Sequence, residues 1–293
     1  FYKWQNLYLI DQKIFKVFFE VSSRRNISLN NPSITHVIYD FRDQLLRPYW
    51  TYFADKYNYK FYLINTASGF YGFKDELKRY PVDTMYHHLC NWENYYVDNS
   101  LFFEYLRKII PTTKILRSKI SPFHVNENIS FDSSVIRVAI YDVVPATLFN
   151  RALLLPEDRY RVSSTCITFL SDIIQCLKNY NVLIYLKSKH NINSSNFPKD
   201  YIQFVNNLNY KNIVTLNPRC SPKFLSSNVN FSISSPFTTA AFYETINPKS
   251  FFYDPLKVIL KDDRAKQNLC LISGINELKI HIDKILKELN YKS

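Results

Sequence analysis

The chain alternates short apolar runs with longer stretches in which apolar residues recur every three or four positions. Short apolar runs between polar turns are typical of buried strands, and the longer period is typical of amphipathic helices. Strands are predicted over 34–41, 60–65, 84–90, 113–117, 135–141, 181–186, 212–216, 229–233 and 250–253. Helices are predicted within 1–26, over 45–57, 99–110 and 166–177, and from 276 onward. Strands that alternate with helices predict parallel sheets with helices packed on them.

The pattern lapses between residues 118 and 134, where Pro122 and several asparagines interrupt the periodicity. A chain of 293 residues suits one large α/β domain or two of ordinary size. We therefore predict an α/β protein of two Rossmann-like domains, 1–131 and 132–293, that face a central cleft. The last helix can pack back on the first domain.

Four hydroxyl residues lie where the predicted strand 229–233 gives way to a short helix: Ser234, Ser235, Thr238 and Thr239. Free backbone N–H groups and the positive end of the helix dipole bind anions at such a point. Pro236 suits the first helical position. Two interpretations stay open: the hydroxyls only cap the helix, or they form a phosphate or nucleotide site together with Glu244.

Other candidate residues follow predicted strands, because ligands of open parallel sheets bind beyond the carboxyl ends of the strands. Lys187 and Lys189 follow the strand 181–186, and their spacing of two points both toward the same side. Both can reach a phosphate, although solvated surface charge is the alternative interpretation. Asp142 ends the strand 135–141 and is a candidate acid–base residue.

The first half offers four candidates for a general base, in the order His88, His87, Glu93 and Asp43. Adjacent strand residues face opposite sides, so the two histidines are a poor metal pair, and ordinary packing is the alternative. Either histidine, with Glu93 nearby, suits deprotonation of a sugar hydroxyl.

The amino-acid composition limits the kinds of ligand site that the chain can form. Only 3 glycines are present, which excludes the glycine-rich phosphate loops, so hydroxyls, lysines and a helix N-terminus must hold any phosphate. The net charge of +12, from 37 Lys and Arg against 25 Asp and Glu, favours anionic partners. The charge is diffuse, which disfavours nucleic acid. No Asp-x-Asp occurs, so we expect no metal and no cofactor besides a co-substrate.

The five cysteines are scattered without metal-ligand spacing, which indicates reduced thiols in a cytoplasmic protein and disfavours zinc. No run of about 18 apolar residues is present, so no membrane-spanning helix is expected. The chain begins at Phe1, and we expect it to be a piece of a longer protein.

The segment Pro236-Phe237-Thr238-Thr239 resembles the motif of bacterial surface-polysaccharide biosynthesis proteins named for Pro-Phe-Thr-Ser, with threonine in place of the final serine. Further segments resemble landmarks of that family: 47–51, 141–145, 186–190 and 248–255. The segment 186–190 departs from the usual Lys-Pro-Lys-Arg, which leaves the role of His190 open.

The resemblance implies a GT-B type glycosyltransferase for capsule or lipopolysaccharide, akin to enzymes that use CMP-activated acidic sugars such as Kdo and sialic acid. In those enzymes a Ser/Thr pair binds the nucleotide phosphate, and the role is carried here onto the four hydroxyl residues of 234–239. We therefore expect a metal-independent transferase acting on a CMP-sugar and a lipid-linked or oligosaccharide acceptor.

In this hypothesis Lys187 and Lys189 neutralise the leaving phosphate, and Glu244 receives ribose hydroxyls. A base from the first half deprotonates the acceptor, with Asp142 as the rival. The positive charge would hold a cytoplasmic enzyme near the inner leaflet of the membrane. Two alternatives stay open: a polyol-phosphate transferase that uses CDP-glycerol, and a non-catalytic subunit of polysaccharide assembly.

Overall fold

The protein is represented by a computed structural model, which describes residues 36–40, 60–65, 73–75, 92–97, 103–104, 106–107, 114–117, 131, 134–145, 159–188, 190–192, 197–208, 212–236, 238, 249–261 and 270–289. Contacts group the chain into two compact units. The first unit consists of Phe1–Ala67 and Tyr86–Lys119, and the second of Ser68–Met85 and Ile120–Ser293. The predicted linker lies almost wholly outside the described residues, as do the predicted strand 84–90 and the helices within 1–26 and over 45–57.

The described strands are β1 His36–Asp40, β2 Lys60–Asn65, β3 Phe73–Asp75, β4 Asn94–Val97, β5 Lys114–Arg117, β6 Ile136–Tyr141, β7 Val182–Lys187, β8 Ile213–Thr215, β9 Phe231–Ser234, β10 Phe251–Asp254, β11 Ile259–Lys261 and β12 Leu271–Ser273. The described helices are α1 Ser163–Leu177, α2 Lys199–Asn206, α3 Pro222–Asn228 and α4 Ile275–Glu288. Within that part of the chain, no helix is long and apolar enough to cross a membrane.

The first unit contains a four-stranded parallel sheet in the order β1-β2-β4-β5. Its strands alternate between buried and less buried residues, as in β2, where Phe61 and Leu63 are fully buried and Tyr62 and Ile64 are not. Successive side chains of a strand point to opposite faces, so one face of this sheet is more deeply buried than the other.

The second unit contains a six-stranded parallel sheet in the order β12-β10-β9-β6-β7-β8. From β6 the chain first moves outward through β7 and β8, then returns to the other side of β6 and moves outward through β9, β10 and β12. This strand order is that of the doubly wound Rossmann sheet. The order reverses between β6 and β9, and at such a switch point the connections leave toward opposite faces and open a crevice.

Two apolar clusters cover the two faces of this sheet. One joins inward residues of β6, β7, β9 and β10 to α1, α2 and α4, and it includes Phe169, Tyr201 and Ile282. The other joins Tyr141 and Tyr185 to residues around α3. Burying a large apolar side chain stabilises the fold by about 1.5–3 kcal/mol each. The near-continuous burial of β6, β7, β9 and β10 is therefore the expected pattern for strands covered on both faces.

A short antiparallel ladder joins β3 to β11 within the second unit, pairing Phe73 with Lys261 and Asp75 with Ile259. Phe73 packs edge-on against Phe252 of β10, with ring centroids 5.2 Å apart. Residues from the first third of the sequence thus contribute to the unit that is otherwise built from the second half.

Candidate functional site

The carboxyl ends of β6, β7 and β9 bring several predicted residues to one edge of the second sheet. In the strand register, Tyr141 lies beside Lys187 on one neighbouring strand and beside Ser234 on the other. The amide of Ser235 donates to the carbonyl of Tyr141 at 2.9 Å, so Ser235 lies at the level where Asp142 follows β6. Residues that the sequence separates widely therefore meet at the topological switch point.

Asp142 is the most unusual group at this edge. Its side chain is buried, one carboxylate oxygen, Oδ2, accepts a hydrogen bond from the hydroxyl of Tyr201, and the other, Oδ1, is buried without a partner among the described residues. Burial raises the pKa of Asp142 from 3.8 to about 7, against smaller lowering effects of the Tyr201 hydroxyl and the Val143 amide. A carboxyl group that titrates near neutral pH can accept or release a proton under physiological conditions.

Helix α2 positions Tyr201. The helix was not predicted, because it has only eight residues, is largely polar and buries only Tyr201 and Val205. The ring of Tyr201 stacks on Phe197 with centroids 5.8 Å apart, which fixes the direction of its hydroxyl toward Asp142. Burial and the neighbouring carboxylate both raise the pKa of Tyr201, so its hydroxyl stays a donor.

The hydroxyl residues of the 234–239 segment are more enclosed than an open phosphate site would require. Ser234 and Ser235 are both buried, because β9 lies in the interior of the sheet between β6 and β10. Strand alternation places Ser234 on the α3 side with its register neighbour Tyr141, and Ser235 on the α1 side with Asp142. Ser234 and Ser235 therefore do not share one face of the sheet.

The hydroxyls of Ser234, Ser235 and Thr238 also differ in their hydrogen bonds. The hydroxyl of Ser235 donates to the carbonyl of Pro236 at 3.4 Å, and that of Thr238 donates to the carbonyl of Ser235 at 2.8 Å. Both bonds stabilise the turn after β9. The hydroxyl of Ser234 has no partner in the described part of the chain.

Lys187 is buried and its Nζ donates to the carbonyls of Ser188 and Pro218, each at 2.9 Å. These contacts tie the end of β7 to the loop before α3. The ammonium therefore has a structural role in addition to any contribution to the charge of the site. Its presence at the carboxyl edge still adds a positive charge beside Tyr141.

Glu93 is exposed and directly precedes β4, so it lies at the amino end of the first sheet. Ligands of parallel sheets bind at the opposite end, and this placement argues against Glu93 as a base. The other predicted site residues lie outside the described part of the chain: Asp43, His87, His88, Lys189, Thr239 and Glu244. His190 is exposed.

A second buried carboxylate, Asp254, was not predicted as a site residue. It ends β10, and its carboxylate accepts hydrogen bonds from the Tyr160 hydroxyl and from the amides of Leu256, Val258 and Ile259, at 2.7–3.2 Å. The sequence signal was present as the Tyr-Asp-Pro ending of the 248–255 segment. The four donors show that Asp254 organises the turn between β10 and β11.

The described part of the chain offers no preformed metal site. Over these residues, no group of three or more histidine, cysteine, aspartate and glutamate side chains is arranged to hold a metal ion. The described cysteines are free thiols: Cys166, Cys176, Cys220 and Cys270.

Comparison with known proteins places the chain in a family. Residues 23–282 match the family described as polysaccharide biosynthesis PFTS motif protein. No curated protein sequence matches the chain.

Two solved structures are similar at low identity. The glycotransferase of kitacinnamycin has 8% identity and a TM-score of 0.44, over 86% of this chain and 67% of that one. A mutant of S. aureus TarM in complex with fondaparinux, alpha-GlcNAc-glycerol and UDP has 14% identity and a TM-score of 0.38, over 80% of this chain. This chain spans 44% of the length of TarM. At these TM-scores the assignment depends on the family match, which covers most of the sequence, and the chain belongs to the family of polysaccharide biosynthesis PFTS motif proteins.

Proposed function

We propose that the protein is a metal-independent glycosyltransferase of GT-B type that moves a sugar from a nucleotide-activated donor onto a surface polysaccharide or its lipid-linked precursor. Membership of a polysaccharide biosynthesis family supplies the biological context. The observation that carries the proposal is the switch point of the second sheet, where Asp142, Lys187, Ser234 and Ser235 end adjacent strands. A CMP-activated acidic sugar is the proposed donor.

In this proposal the second unit binds the nucleotide and its phosphate. Lys187 and Lys189 supply positive charge, the hydroxyls of 234–239 supply hydrogen bonds, and Glu244 receives the ribose. Such fixed charges and donors stabilise the negative charge that develops on the leaving phosphate. The net charge of +12 would also favour contact with an anionic membrane surface that carries lipid-linked acceptors.

Asp142 is the proposed proton acceptor. As the acceptor hydroxyl oxygen attacks the anomeric carbon, the bond from that carbon to the phosphate oxygen breaks and its electron pair leaves with the phosphate. The hydroxyl proton passes to the carboxylate of Asp142, whose pKa of about 7 suits this transfer. His88, His87 and Asp43 stay predictions as alternative bases.

A non-catalytic role in polysaccharide assembly is the second candidate. It is favoured by the burial of Ser234 and Ser235 and by the two carbonyl contacts of the Lys187 ammonium. In that case the edge would stabilise the fold without binding a nucleotide.

A thermal-shift screen with CMP, CDP and UDP distinguishes the candidates. CMP should stabilise the wild-type protein, and the double variant Ser235→Ala with Thr238→Ala should lose most of that shift. Ser232→Ala is the matched control, because Ser232 lies in the same strand but its hydroxyl bonds to Ser250 below the edge. Equal CMP shifts in all three proteins would contradict the phosphate site, and no shift with any nucleotide would favour the non-catalytic role.

A turnover assay separates the donors. Release of CMP from a CMP-sugar supports the glycosyltransferase, whereas turnover of CDP-glycerol alone supports a polyol-phosphate transferase. Asp142→Asn should lower turnover by about 10²–10⁴-fold while nucleotide binding is retained.

A further inference from the structure

The N-terminus of helix α1 lacks the groups that normally satisfy a helix start. Its N-cap residue is Val162, which offers no side-chain acceptor, and its first turn contains no acidic residue. The first amides of a helix have no partner inside the helix. Among the described residues, no group accepts from the amides of Ser163, Ser164 and Thr165.

The N-termini of the other described helices carry a capping oxygen or an acidic side chain. In α3 the hydroxyl of Ser221 accepts from the amide of Phe224. The first turn of α2 carries Asp200, and that of α4 carries Glu277. An acidic side chain or a capping oxygen compensates the positive end of the helix dipole. In α1 this positive end has no such compensation from the described part of the chain.

A buried hydroxyl without a partner lies beside these amides. Ser163 is only 8% exposed, and its Oγ has no hydrogen-bond partner among the described residues. Ser163 precedes Cys166 and Leu170 at helical spacing, and these two residues belong to the core between α1 and the sheet. Ser163 therefore lies on the side of α1 that faces the sheet. An unpaired buried hydroxyl costs about 1–3 kcal/mol, which a bound anion would offset.

Two contacts fix where this helix start lies. The thiol of Cys166 contacts the carbonyls of Tyr160, at 3.2 Å, and Val143, at 3.8 Å, so α1 begins beside the loop after β6. The hydroxyl of Tyr160 donates to Asp254 at the end of β10. Both contacts place the helix start at the carboxyl edge of the sheet. Cys166 packs in the cluster that contains Ile140 and Ile233, and by strand alternation the face of that cluster is also the face of Asp142 and Ser235.

Positive side chains precede the helix. Arg159 is exposed and Arg161 is half-buried, and both lie within four residues of Ser163. Guanidinium groups bind phosphate through two parallel hydrogen bonds. Backbone amides, a buried hydroxyl and positive charge close by in sequence are the features that favour phosphate at a helix start.

We propose that the N-terminus of α1, with Ser163, Arg159 and Arg161, is a phosphate-binding site, and that it holds the phosphate of the nucleotide-sugar donor. The claim that the bound phosphate belongs to a nucleotide-sugar donor rests on the proposed function. The claim that the site binds a phosphate group does not, and it is tested without any nucleotide.

Isothermal titration with pyrophosphate tests the site directly. The wild-type protein should bind pyrophosphate, and Ser163→Ala should weaken binding by about 10- to 100-fold, the usual loss for a hydrogen bond to a charged group. Ser164→Ala is the matched control, because Ser164 is the next residue of the same helix and its side chain is exposed. Its affinity should equal that of the wild type. Ser163→Ala should fold normally, because the change removes an unpaired hydroxyl.

Val162→Asp is the second variant. The backbone of Val162 is already extended, as an N-cap requires, so the new carboxylate should cap the free amides. This variant should melt at a higher temperature than the wild type without ligand and should bind pyrophosphate at least tenfold more weakly.

The outcomes separate this inference from the proposed function. Absence of pyrophosphate binding by the wild type, or equal binding by all four proteins, would overturn the phosphate site. In that case CMP binding that depends on Ser235 would leave the glycosyltransferase proposal intact. Pyrophosphate binding that depends on Ser163, together with no response to CMP, CDP or UDP, would keep the site and reject the nucleotide donor. Loss of CMP binding in Ser163→Ala would support both the phosphate site and its occupation by the nucleotide donor.

Discussion

Two buried carboxylates at the same edge of the second sheet differ sharply in how they are satisfied. Asp254, at the end of β10, accepts four hydrogen bonds, three of them from backbone amides of the following turn. Asp142, just beyond β6, accepts one from a side chain and leaves Oδ1 without a partner among the described residues. Each has a tyrosine donor, Tyr160 for Asp254 and Tyr201 for Asp142.

The comparison shows that two buried carboxylates at one edge can differ in how many donors surround them. A buried carboxylate with a full set of donors stabilises the backbone around it. A buried carboxylate with too few donors has a raised pKa and spare hydrogen-bonding capacity, which are properties of acid–base residues in active sites. Asp142 belongs to the second kind, and it lies at the switch point where ligands of such sheets bind.

The largest expected effect is that of Asp254→Ala. The substitution leaves the Tyr160 hydroxyl and the amides of Leu256, Val258 and Ile259 without their acceptor. We expect a loss of about 3–5 kcal/mol in the free energy of unfolding, near the upper end for single substitutions. Urea denaturation measures it, and a loss below about 1 kcal/mol would show that the turn does not depend on this carboxylate.

The second largest expected effect is the pH dependence of folding stability that Asp142 causes. Its pKa is about 7 in the folded protein and near 3.8 in the unfolded chain, so between these values the folded state holds a proton that the unfolded state has lost. Stability is therefore expected to fall as pH rises from about 4 to about 7, by at most about 1.4 kcal/mol per pH unit.

Asp142→Asn removes this titration. The free energy of unfolding of the variant should therefore fall less than that of the wild type between about pH 4 and about pH 7. At pH 8 the variant should be more stable than the wild type by up to a few kcal/mol. Denaturation curves at pH 4, 6 and 8 measure the difference. Parallel pH profiles for the two proteins would contradict a raised pKa at this position.

The smallest effects come from the two tyrosines. Tyr160→Phe removes one of four donors from Asp254 and should cost about 1 kcal/mol. Tyr201→Phe removes the hydroxyl that stabilises the carboxylate of Asp142 and should raise the pKa of Asp142 further. Carbon-13 NMR titration of the Asp142 carboxyl group measures the shift. Tyr160→Phe serves as the control, since it should leave the Asp142 titration unchanged.

Local pattern predicted most strands of the two parallel sheets, together with helices α1 and α4. The strand 60–65 has the predicted bounds, and the predicted strands of the second half and the helix 166–177 differ from the structure by at most a few residues. Helices α2 and α3 and strands β4 and β12 were not predicted, because each has at most eight residues. The β3–β11 ladder was also not predicted, because its strands have three residues each and are far apart in sequence.

The candidate site was predictable in part. Asp142, Lys187, Ser234 and Ser235 were identified from their positions after apolar runs, and the structure places all four at the carboxyl edge of one sheet. Their contacts were not predictable. The carbonyl partners of Lys187, the Tyr201 donor and the unpaired Ser163 hydroxyl depend on segments that only the fold brings together.

The sequence by itself determined the α/β class, the strand ends and the residues that follow them, because these depend on hydrophobic periodicity over a few neighbouring positions. The tertiary structure alone decided that β6 lies between β7 and β9, and that Asp142 is short of donors while Asp254 is not. The physical reason is that strands buried on both faces have similar apolar sequences. Their order is therefore set by the packing of helices and connections, and this order determines which polar groups find partners.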